Sequence, residues 1–75
     1  MKFIELSGKQ LYQMADGSDL TPQNLKAAGV TEENIVRINE QGDIEVRRPD
    51  GWDVVGGLIG DFKQRLKKVT NLNWA

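Results

Sequence analysis

Two close carboxylate pairs, Asp16 with Asp19 and Glu32 with Glu33, are the residues whose type and spacing come nearest to chemistry. Paired acids can divide general acid and general base roles, or ligate a hard cation. The calcium-loop pattern fails after Asp16. Leu20 stands where an oxygen ligand belongs, and no glutamate closes the loop. The chain has no histidine and no cysteine. The usual general base, the thiol nucleophile and the main zinc ligands are therefore missing. Catalysis by carboxylates alone needs an enclosing pocket, which so small a domain rarely forms. Turn and helix-cap roles account for all four acids. The expectation is a non-catalytic chain with no cofactor and no metal.

Basic residues offer the next candidate chemistry. Arg37, Arg47 and Arg48 fall on a predicted hairpin, and Lys63, Arg65, Lys67 and Lys68 on a predicted helix. Gathered on one face they would make a modest patch for nucleic acid. The sequence pI of about 5.3 argues against that, as does the lack of aromatic residues among the basic ones. The formal net charge is −1, with −3 on residues 1–50 and +2 on residues 51–75. Lysines near a helix C-terminus explain the second figure through the helix dipole. The Val36 to Val46 hairpin resembles the basic, glycine-turned hairpin of swapped-hairpin antitoxins and transition regulators. That resemblance covers the hairpin alone, and no function is carried over from it.

Glycine spacing is the third candidate. Between Asp53 and about residue 70 the apolar pattern reads as one long amphipathic helix. At about 100° per residue, Val54, Val55, Leu58, Ile59, Phe62, Leu66 and Val69 fall within one arc of about 140°. Gly56, Gly57 and Gly60 lie opposite that arc. Each costs such a helix about 1 kcal/mol relative to alanine. Four readings stay open. The helix starts late, near Leu58, after a flexible Gly56-Gly57 connection. The glycine side packs within the chain against Trp52, Trp74 or the first helix. Gly56-x-x-x-Gly60 admits a second chain. Free N–H groups near Gly56-Gly57 cradle an anion.

The elements that must position these residues are mostly well marked. Residues 2–6 alternate as a first strand. Ser7-Gly8-Lys9-Gln10 is a capping-box pattern that predicts a short helix over 8–15. Asp16-Gly17-Ser18-Asp19 breaks it. Thr21-Pro22 caps a second short helix over 22–28, which Gly29 ends. Thr31-Glu32-Glu33 predicts a single turn. Residues 35–48 read as a hairpin with Ile38 facing Ile44, Val36 facing Val46, and Arg37 facing Glu45. Glu40-Gln41-Gly42 is then a three-residue loop with its left-handed position at Gly42. Pro49-Asp50-Gly51 makes a turn, and Asp50 or Asp53 caps the long helix over about 53–70.

The expected fold class is α+β, as one domain over residues 1–75. A small antiparallel sheet, the hairpin 35–48 with the strand 2–6, packs against the long C-terminal helix. No run approaches the roughly 20 apolar residues of a membrane span. No signal peptide is visible, and a cysteine-free composition fits a soluble cytoplasmic protein. The leading functional expectation is a protein-interaction module, with a homodimer as one form of it, using Trp52, Gly56, Gly57, Gly60 and Trp74. The alternative is a small nucleic-acid-binding regulator using Arg37, Arg47, Arg48, Lys63, Lys67 and Lys68.

Overall fold

Local capping chemistry starts the chain. In a computed structural model that describes residues 2–15 and 20–71, strand β1 (Phe3–Ser7) runs directly into helix α1 (Gly8–Met14). The Ser7 Oγ accepts the Gln10 N–H at 3.1 Å, and the Gln10 Oε1 accepts the Ser7 N–H at 3.0 Å. The capping box is thus complete. The Asp16 to Asp19 break and Trp74 lie outside the described residues. Helix α2 (Pro22–Ala27) is capped by Thr21, whose Oγ1 accepts the Asn24 N–H. Residues 31–34 form a turn, with Asn34 N–H donating to the Thr31 carbonyl.

That turn is tied to the start of α1. Gly8 N–H donates to the Asn34 carbonyl at 2.8 Å, and Lys9 N–H to the Glu32 carbonyl at 3.1 Å. Two N–H groups with no partner inside the helix are satisfied this way. The approach is close because Gly8 has no side chain. A Cβ there would overlap the Thr31 carbonyl oxygen.

The hairpin forms in the expected register. Strands β2 (Ile35–Asn39) and β3 (Asp43–Arg48) pair Val36 with Val46, Arg37 with Glu45 and Ile38 with Ile44. Gly42 closes the turn at φ +94°. Strand β1 pairs antiparallel with β2, Ile4 beside Ile38 and Leu6 beside Val36.

The C-terminal third corrects the sequence reading. Residues 51–57 are not helical: they form strand β4 (Gly51–Gly57), antiparallel to β3. The C-terminal helix exists but is shorter, α3 (Phe62–Thr70). Asp50 and Asp53 therefore cap nothing, lying in a turn and in β4. Trp52, Val54 and Val55 are strand formers, and two glycines weaken any helix there. Ladder pairing with β3 outweighs an apolar spacing that mimics a helix arc. Two members of that arc, Val54 and Ile59, are 64% and 74% exposed. The apolar face of α3 is Phe62, Leu66 and Val69, at helical spacing. The chain ends α3 through Asn71 in the left-handed conformation.

The result is a meander of four strands in the order β1-β2-β3-β4. Ile4, Leu6, Val36, Ile38, Ile44 and Val46 share one face of it. They form one core with Leu11 and Met14 of α1, Leu25 of α2, and Phe62 and Leu66 of α3. All described helices thus cover a single face. No described helix is long and apolar enough to cross a membrane.

Gly8→Ala is expected to cost about 3 kcal/mol, since the backbone on both sides must move to admit a methyl group. Urea unfolding against wild type measures it. A loss below about 0.5 kcal/mol would show that the contact with the 31–34 turn does not constrain the fold.

Candidate interaction surface

Alternation decides what the sheet shows on its other side. Residues between the core positions must point away from the helices. The ladders place these outward residues in three rows across the four strands. One row is Glu5, Arg37, Glu45 and Val54. On one side of it lie Ser7, Ile35, Arg47 and Trp52, and on the other Phe3, Asn39, Asp43 and Gly57.

Arg37 is the centre of this face. Its Nε and Nη2 donate to Glu45 Oε1 at 3.2 and 2.9 Å. Its guanidinium carbon lies 3.9 Å from the Phe3 ring centroid and 4.2 Å from that of Trp52. Arg47 approaches the Trp52 ring at 5.7 Å. Four strands thus each contribute one member to an alternating series of Phe3, Arg37, Trp52 and Arg47. Guanidinium over an aromatic face is attractive because the ring face is electron-rich. The Glu45 side chain is only 12% exposed, so this ion pair is better shielded than an ordinary surface pair. Around the series, Ile35 and Val54 are 55% and 64% exposed.

The other sequence candidates are scattered. Gly56 and Gly57 lie in β4 at the sheet edge, beside Ile44 and Asp43 of β3. A bulge between them and Trp52 leaves Val55 without a partner on β3. Gly60 sits in the connection to α3 at φ +74°. Gly56, Gly57 and Gly60 therefore share no helix face, and the helical Gly-x-x-x-Gly contact does not form. The anion reading fails with it, since α3 starts only at Phe62.

The basic residues divide likewise. Arg37 and Arg47 face outward from the sheet. Arg48 turns to the helical side, donating to the Ala28 and Gly29 carbonyls at 3.0 and 3.2 Å, with Asp53 at 3.5 Å. It thereby closes the C-terminal end of α2. Lys63, Lys67 and Lys68 are exposed on α3, across the sheet from Arg37 and Arg47. Of the predicted interaction residues, Trp52 and Gly57 lie in this outer face, Gly57 at its margin. Sequence reasoning missed Phe3, Ile35, Glu45 and Val54 as companions of Trp52. The signal for Phe3 was available: it is out of phase with Ile4 and Leu6.

Among the described residues, no group of three or more acidic, histidine or cysteine side chains is placed to hold a metal. An open hollow of about 410 Å³ lies between α1 and α3, lined by Gln13, Met14, Arg65, Lys68 and Val69. Arg65 there donates to the Met14 carbonyl at 2.7 Å. It brings together no nucleophile and base. Comparison with family models, with curated proteins and with solved structures finds no match to this chain.

Arg37→Lys keeps the charge but loses the planar fork and both stacking faces. It is expected to destabilise the fold by about 1–2 kcal/mol in chemical denaturation. Stability equal to wild type would mean that the stack contributes nothing.

Proposed function

We propose that this chain is a small non-catalytic interaction module, docking on protein through the outer face of its sheet. The observation that carries this reading is the one-sided cover of a four-stranded sheet. All described helices lie on the core face, while the opposite face carries Trp52, Phe3 and Arg37 between exposed Ile35 and Val54. Trp and Arg are the types most enriched where binding energy concentrates. An apolar and aromatic sheet face open to water is an ordinary docking surface. The non-catalytic part rests on composition, which supplies no histidine or cysteine.

A nucleic-acid partner has less support. The outer face balances Arg37 and Arg47 against Glu5, Asp43 and Glu45. The exposed lysines of α3 lie on the other side of the sheet, so no single basic groove results. Nucleic acid binding draws most of its strength from phosphate neutralisation.

Trp52→Ser tests the reading, with Lys67→Glu/Lys68→Glu as a charge change on the opposite side. Two readouts are needed: mass in solution against concentration, and the proteins retained from a host extract. Trp52→Ser should weaken association in one or both, and the lysine variant should not. The reading fails if wild type neither self-associates up to about 1 mM nor retains any protein that Trp52→Ser releases. Mixed-sequence DNA or RNA should not be retained at about 50 mM salt. Retention lost steeply at higher salt would favour the nucleic-acid alternative.

A further inference from the structure

The rows of the outer face carry a symmetry that bears on its occupant. Consider a two-fold axis lying in the plane of the face, parallel to the strands and between β2 and β3. Rotation about it keeps each row in place and exchanges β1 with β4, and β2 with β3. Arg37 then meets Glu45 of the second copy, and Glu45 meets its Arg37. The internal ion pairs would become a four-charge cluster of alternating sign. At the margins, Phe3 meets Gly57 of the second copy, a large ring over a residue with no side chain. Trp52 likewise meets Ser7, and Val54 the aliphatic stem of Glu5.

The alternative axis, in the same plane but across the strands through the middle row, has the opposite result. Glu5 would face Glu5, and Arg37 would face Arg37. Pairing through the β4 edge is opposed by the bulge at Val55, which breaks the regular ladder. The central charges, Arg37 and Glu45, are therefore complementary under one symmetry operation and set like against like under its rival. A C2 contact must be self-complementary in this sense.

We propose that the outer face binds a second copy of this chain, sheet on sheet, about an axis parallel to the strands and between β2 and β3. The inference rests on the docking reading above and names its occupant. Packed sheets hold their strands within about 30° of each other and about 10 Å apart. At the centre of the contact Arg37 and Glu45 already compensate each other, so neither enters as a lone ion.

Thiol cross-linking tests the arrangement directly, because the chain has no cysteine of its own. Glu5 and Val54 are both exposed, so cysteines there leave the core intact. Within one copy they stand three strand spacings apart, about 14 Å. Across the proposed contact they face each other at about 10 Å, within reach of a short bismaleimide but not of a disulfide. Wild-type mass in light scattering should rise from 8.4 kDa toward twice that value with concentration. The Glu5→Cys/Val54→Cys protein should yield a covalent dimer, and neither single variant should. Efficient cross-linking of Glu5→Cys alone would overturn the proposal in favour of the crosswise axis. Cross-linking of Val54→Cys alone would overturn it in favour of edge pairing. A wild type that stays at 8.4 kDa up to about 1 mM removes the second copy altogether. The docking reading would then stand or fall on the proteins that Trp52→Ser releases.

Discussion

The register of the β2–β3 hairpin is the constraint on which the rest of this structure depends. A slip of one residue would send Ile38, Ile44, Val36 and Val46 to the outside and bring Arg37 and Glu45 into the core. The turn prevents that slip in three ways. Gly42 takes a φ of +94° that a side-chain-bearing residue resists. Buried Asn39 accepts the N–H groups of Gln41 and Asp43 through Oδ1, and donates from Nδ2 to the Asp43 carboxylate. Leu58 N–H donates to the Gly42 carbonyl at 2.8 Å, so the turn also anchors the connection into α3. A Cβ on Gly42 would come within 2.5 Å of the Leu58 carbonyl oxygen. One turn thus fixes the ladder, the two faces of the sheet and the approach of the last helix.

From that register the asymmetry of the molecule follows. Strands β1 and β4 add to the two sides of the hairpin and inherit its alternation. Three short helices are enough to cover one face of four strands, and the chain offers no fourth helix among its described residues. A domain of this size gains limited stability from its core. The other face is held by interactions of a different kind, with guanidinium groups spanning strands and rings shielding them. Arg37 links β1, β2, β3 and β4 through Phe3, its own strand, Glu45 and Trp52. It acts as a cross-strand tie where no helix packs.

Much of this was legible from residues alone. Ser7 with Gln10, Thr21 with Pro22, and the 35–48 alternation with Gly42 each combine a local preference with a compatible neighbour. Local and long-range requirements agree there, so the local signal suffices. Residues 51–57 differ because their preference is set by a partner. Val54, Leu58 and Phe62 match a helical spacing, yet the β3 ladder decides the conformation of the first of them. The deciding facts, an open edge on β3 and a bulge at Val55, arise only once β3 is placed. The surface was harder still. Phe3 and Trp52 are 49 positions apart in the chain, and only the order of four strands brings both rings to Arg37. No pattern over a short window can contain that relation.

The composition of the outer face also sets what kind of association it favours. Docking normally costs the freezing of side chains and the desolvation of polar groups. Here the longest flexible side chain at the centre, Arg37, is already held by one carboxylate and two rings. Its ordering has been achieved during folding, and its charge needs no new partner to enter a contact. The exposed apolar groups, Ile35 and Val54, are short and branched, with little rotamer freedom to lose. Such a face is rigid and nearly neutral, so shape would select its partner more than long-range attraction. Electrostatic steering acts at a distance and depends on unbalanced charge. A surface without it must recognise what it binds at contact, through rings and ion pairs whose positions the β2–β3 turn has already set.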